Sequence, residues 1–148
     1  MDVILERFHA RAWTYAEGDP RAVAELERRI ASTGRAGGFI TYSDLARSVS
    51  FDLPNLHESP RTIDVLNWQQ LDRAIIGDFL NYVSMRSYEL AEFFSSALVV
   101  TKMDGTPGDG FNVLLKDLGL IRALSSEEAL EIWVENVKKA QAWYKRHA

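Results

Sequence analysis

The chain has 148 residues, an apolar content of 47% and a charged content of 26%, values that suit one ordinary globular domain with a well-packed core. A net charge of −4 argues against binding driven by a broad basic surface, and no apolar run approaches the roughly 20 residues of a membrane span. The absence of cysteine removes disulfides, thiolate metal sites and cysteine nucleophiles, and an N-terminus unlike a secretory signal sets the expectation of a cytoplasmic protein.

Residues Asp2 to Ala16 read as a helix, with Ile4, Phe8, Ala12 and Tyr15 at helical spacing. Asp19-Pro20 starts a second helix, the aspartate as N-cap and the proline at the first helical position. Val23, Leu26 and Ile30 form its inward stripe, and Gly34 is expected to end it. Arg28, Arg29 and Arg35 near that end, like Lys138, Lys139, Lys145 and Arg146 near the C-terminus, read as cations complementing helix C-termini. Phe39 and Ile40 suit a short extended piece, and Thr41, with Asp44 three residues on, caps a short helix burying Leu45, Ala46 and Val49. Ser50 to Pro60 reads as an irregular loop and Arg61 to Val65 as a short strand.

A long helix is expected from Trp68 to Met85 with Asn67 as its cap. Its apolar arc includes Leu71, Ile75, Ile76, Phe79, Leu80 and Val83, wide enough for a place near the centre of the core. Ser95 to Lys102 is the best strand pattern in the chain. Phe111 to Leu118 follows as a helix with Val113, Leu114 and Leu118 inward. Ser125 with Glu128 forms a capping box for the last helix, with Leu130, Trp133, Val134, Val137, Ala140 and Tyr144 facing inward. Leu71, Ile75, Phe79, Leu98, Val100, Phe111, Trp133 and Val137 are expected to share one core.

Between the strand pattern and the Phe111 helix lies the loop Asp104–Gly110. Asp104, Gly108, Asp109 and Gly110 are its candidate ligand-binding residues, because a glycine-rich loop before a helix can turn backbone N–H groups toward an anion. No Gly-Lys-Ser/Thr follows, and Asp104 and Asp109 would repel an anion. The stronger reading is a shaped junction, with Gly108 and Gly110 in conformations that a β-carbon would strain and the two aspartates as turn or cap residues. His9, His57 and His147 fall on remote segments without metal-ligand spacing, so no metal and no cofactor are expected. No Gly-x-Ser-x-Gly elbow singles out a nucleophile, and Asp72 and Asp78 point about 120° apart on a helix of 3.6 residues per turn.

The segment Ile40-Thr41-Tyr42-Ser43-Asp44-Leu45-Ala46 resembles the opening of the winged-helix DNA-binding part of alkyltransferase-like proteins. The likeness spans under ten residues, and the Pro-Cys-His-Arg active-site motif of that family is missing, which excludes alkyl transfer. What the resemblance implies is a winged-helix-like module in which Asn67, Gln69, Gln70 and Arg73 are the candidate DNA contacts. Ala97-Leu98-Val99-Val100 followed by Pro107-Gly108-Asp109-Gly110-Phe111 resembles a pattern in small uncharacterised bacterial proteins and implies a shared fold without a mechanism.

The expected architecture is α+β: a mainly helical single domain over residues 1–148, with a small β-sheet joining Phe39–Thr41 to Ser95–Lys102 and a winged-helix-like character. The expected function is a non-enzymatic bacterial binding module acting through protein or nucleic-acid contacts, without membrane association. Two alternatives stand beside it: a small enzyme with its site at Asp104–Gly110, and a protein-interaction factor such as an immunity or phage-encoded inhibitor. Clustered cations would favour DNA, a pocket with perturbed ionisable groups an enzyme, and an exposed aromatic surface a protein partner.

Overall fold

Side-chain caps at Asp2, Asp19, Thr41 and Ser126 open four of the helices. A computed structural model describes residues 2–54, 60–124 and 126–147. Asp2 accepts the Ile4 N–H at 2.8 Å and opens α1 (Val3–His9). Asp19 accepts the Ala22 N–H at 3.2 Å and, with Pro20 at the first position, opens α2 (Pro20–Arg35). Thr41 accepts the Asp44 N–H at 3.1 Å and opens α3 (Tyr42–Ala46), directly after β1 (Ile40–Thr41). The Asp44 carboxylate goes to Arg47 rather than back to the cap. Ser126 accepts the Ala129 N–H at 3.1 Å and opens α6 (Glu127–Arg146); the capping box expected at Ser125 lies outside the described residues.

Between these come β2 (Ser50–Phe51), β3 (Arg61–Thr62), α4 (Gln70–Ala91), β4 (Val99–Val100) and α5 (Asp109–Asp117). β1 pairs in parallel with β4, Ile40 opposite Val99 and Thr41 opposite Val100, as the sequence patterns suggested. β2 pairs antiparallel with β3, so Ser50 and Phe51 form a strand where a loop was expected. The protein is mainly helical α+β. Among the described residues no helix is long and apolar enough to cross a membrane.

Tertiary contacts overrule the sequence pattern in three places. The first helix stops at His9, not Ala16, because Asp78 on α4 draws in the backbone of the following segment. Its carboxylate accepts the N–H groups of Thr14, Tyr15 and Ala16 at 3.4, 2.9 and 2.9 Å, which turns the chain into a 3-10 turn at Ala16–Gly18. The expected strand Ser95–Lys102 is a 3-10 turn over Ser95–Leu98 with only Val99–Val100 as strand. α4 starts at Gln70, with Gln69 rather than Asn67 as N-cap, and runs to Ala91, where Glu92 adopts a left-handed backbone (φ 59°). Asp72 closes that N-terminus by accepting the Gln69 N–H at 3.0 Å.

The core is divided into two clusters rather than one. Leu26, Ile30, Leu45, Phe51, Ile75, Phe79 and Leu98 belong to the first, with Leu71 packed against it. Phe8, Phe94, Phe111, Leu114 and Leu115 belong to the second, with Trp133 against it. Tyr82 and Val137 touch both. Phe93 to Val100 is buried without interruption and runs along the seam. Val113, Leu130 and Val134, expected inward, are exposed, because α5 and α6 bury Leu115, Ala129 and Asn136 instead.

Candidate functional site

The glycine loop is tied to the short helix that follows β1. The Tyr42 hydroxyl donates to the Pro107 carbonyl, so the two segments that carry sequence resemblances meet. Burial, with Asp109 nearby, pushes the Tyr42 phenol up to about 12. The Thr101 N–H donates to the Thr106 carbonyl at 2.7 Å, and the Thr101 hydroxyl accepts the Asp104 N–H at 3.3 Å. Gly108 has φ +76°, and a β-carbon there would sit 3.2 Å from the Thr101 methyl. Gly110 differs from expectation: it lies inside α5 with open space where a β-carbon would go. Asp109 is the first residue of α5, with Gly108 as a cap that supplies no side chain, and the Asp104 and Asp109 side chains are exposed. This geometry is that of a braced connection.

Asn67, Gln69, Gln70 and Arg73 are all exposed around the start of α4. Asn67 and Gln69 line a shallow cavity of about 250 Å³ together with Arg61, Asp64 and Asp72. The Arg61 guanidinium is held on the buried Asp72 carboxylate, with Nη2–Oδ1 at 2.8 Å. Residues 47–69 separate α3 from α4, where a helix-turn-helix uses a turn of about three or four residues.

A larger concave feature than this cavity lies elsewhere, among α2, α4 and α6. It is a groove of about 680 Å³, within the range of ligand and side-chain pockets. Val83, Phe93 and the serines Ser87 and Ser95 form the buried part of its lining. Trp143 and Tyr144, adjacent on α6, bring their rings within 5.7 and 5.5 Å of the Phe93 ring centre. Leu90, the penultimate residue of α4, is 67% exposed at the groove. Gly34 on α2 makes the wall close: a β-carbon there would collide with the Tyr144 ring. The helix therefore runs through Gly34 to Arg35, and this glycine serves packing, not termination.

Charges around the groove neutralise one another. Arg86 Nε meets Glu27 at 2.8 Å, linking α4 to α2 across the opening. Arg28 and Arg29 both bind Glu25, and their hydrogen bonds hold its carboxyl down to about 2. Arg29 also donates to the Leu45 and Arg47 carbonyls at 3.0 and 2.6 Å, closing the end of α3. Burial, with Glu27 nearby, pushes the Tyr144 phenol up to about 12, so it remains a neutral hydroxyl at physiological pH. An aromatic surface flanked by a self-compensated ion pair can hold an apolar group.

None of the residues singled out from the sequence for ligand or DNA contact lines this groove. Tyr144 was placed inward by its helical position, but Phe93, Trp143, Leu90 and Arg86 carried no motif. The adjacent aromatic pairs Phe93-Phe94 and Trp143-Tyr144 were the only signal available. Among the described residues, no group of three or more His, Cys, Asp or Glu is placed to hold a metal ion. Comparison of the chain with protein-family models, with curated proteins and with solved structures finds no match.

Proposed function

We propose that the protein is a non-enzymatic binding module that acts through protein contacts, its groove receiving an apolar side chain from an amphipathic helix of a partner. The observation that carries this reading is the Phe93–Trp143–Tyr144 surface in a groove of about 680 Å³ with exposed Leu90 at its edge. Helix-in-groove recognition relies on such anchors, and rigid aromatic rings offer contact area at low entropic cost. The Glu27–Arg86 pair supplies a polar rim that orients the incoming helix without demanding a charged anchor.

Two further observations support protein contacts over the alternatives. Cations are interleaved with acids, as in Arg28 and Arg29 with Glu25, Arg47 with Asp44 and Lys139 with Glu135, which dilutes any field toward phosphate. The shifted groups Tyr42, Tyr144 and Glu25 are moved away from neutrality, whereas acid–base catalysis needs groups poised near the working pH.

The test is selection of a displayed random-peptide library against wild type, followed by binding to Leu90→Asp and to Gln70→Ala/Arg73→Ala. Peptides carrying a Trp, Phe or Leu anchor that bind wild type and the α4-start variant, and weaken at least tenfold on Leu90→Asp, are the expected result. Binders indifferent to Leu90→Asp would overturn the groove as the site.

A further inference from the structure

A second apolar surface lies at the other end of α6 from the groove. Leu130 is 54% exposed and Val134, one turn later on the same face, is 39% exposed. Trp133 turns inward to donate its indole N–H to the Ala97 carbonyl at 2.8 Å. The ring of Phe39, itself 46% exposed, lies 6.1 Å from the Trp133 ring. Gln141 fastens the neighbouring backbone by donating to the Gly38 carbonyl at 3.2 Å, so the Phe39 segment is held beside α6.

The exposed charges of α6 are segregated along its length. Glu127, Glu128, Glu131 and Glu135 occupy the first half, and Lys138, Lys139, Lys145 and Arg146 the second. The helix dipole favours this order only in the first and last turns. Glu135 and Lys139 pair with each other within the helix at 3.0 Å, whereas Lys138 lies between those two turns and shares a face with Glu127, Leu130 and Val134.

An antiparallel partner helix of the same sequence sets Lys138 against Glu127. We propose that this face joins two copies of the chain in a two-fold dimer, with the α6 helices crossing near residues 132–133. At that crossing Leu130 and Val134 of the two copies gather around the axis, flanked by Phe39, and Glu127 of each faces Lys138 of the other. A two-fold interface must be complementary to itself, and an acid-to-base helix with apolar residues between the two charges meets that condition only when antiparallel. The surface lies apart from Trp143 and Tyr144, so the groove stays open in the dimer.

The test is sedimentation equilibrium of the full chain at about 100 µM, in the range where modest interfaces assemble. Wild type is expected at twice the chain mass. Glu127→Lys and Lys138→Glu, both exposed substitutions checked for unchanged circular dichroism, are each expected to be monomeric, since each sets like charges opposite one another. Mixed together they are expected to form a heterodimer, because both cross-helix pairs become complementary again. A monomeric wild type, a dimer that survives either substitution, or singles that fail to associate on mixing would each overturn the proposal.

Discussion

Asn136 Oδ1 accepts the Phe94 N–H at 2.9 Å, joining α6 to the buried segment that crosses the seam between the two apolar clusters. The next two N–H groups are met in the same way, Ser95 by the Ser87 hydroxyl at 2.9 Å and Ser96 by the Ser84 hydroxyl at 3.1 Å. Three side chains thus replace the ladder bonds that a strand would have supplied. Asn136→Ala leaves a buried N–H unpaired and is expected to cost about 1–3 kcal/mol. Urea denaturation checks this; a loss under about 0.5 kcal/mol would show that Phe94 does not depend on Asn136.

Phe79 is fully buried in the first cluster, its ring 5.1 Å from that of Phe51 in an edge-to-face contact. Phe79→Ala is expected to destabilise the protein by about 3–5 kcal/mol, read from the same denaturation curves.

The glycines of the loop and of α2 separate into distinct classes. Gly108→Ala forces a side chain into φ +76° against Thr101 and is expected to cost more than about 1 kcal/mol. Gly110→Ala, on the open first turn of α5, is expected to be neutral or to stabilise by up to about 1 kcal/mol. Gly34→Ala must displace Tyr144 and is expected to cost about 1–3 kcal/mol while weakening any groove ligand. Equal costs at Gly108 and Gly110 would contradict the loop geometry.

Tyr42, Tyr88 and Tyr144 all have phenols pushed from the ordinary value of 10.0 up to about 12, burial being the leading cause in each. Their contribution to stability is complete below pH 10.0. Between about pH 10 and 12 the unfolded chain loses these protons before the folded one, so stability falls as pH rises. Urea midpoints measured across that interval should decline, and the decline should be shallower in Tyr144→Phe. An identical slope in the variant would place Tyr144 in water.

Local chemistry made much of the fold legible. Asp19-Pro20 and Thr41 cap their helices where the sequence indicated, and the β1–β4 pairing joins the two extended segments singled out beforehand. What escaped was decided by distant partners. Nothing near Ala16 announces that Asp78 will take its N–H, and nothing near Ser95 announces the Ser84, Ser87 and Asn136 side chains. The groove was illegible for the same reason: its residues come from three helices and the segment that follows α4, and Gly34 looks like a stop signal until Tyr144 is placed against it.

Four tryptophans report on four different regions, which makes one spectrum decisive. Trp143 lines the groove, Trp133 lies under Phe39, Trp68 stands beside the start of α4 with its indole N–H 3.3 Å from the Ser43 hydroxyl, and Trp13 packs on Tyr82. The most direct measurement is the ¹H–¹⁵N indole spectrum of the protein titrated with a library-selected peptide. Docking in the groove predicts that the Trp143 indole resonance shifts in a saturable way while that of Trp68 stays in place. A saturable shift at Trp68 or Trp133 with Trp143 unmoved would contradict it.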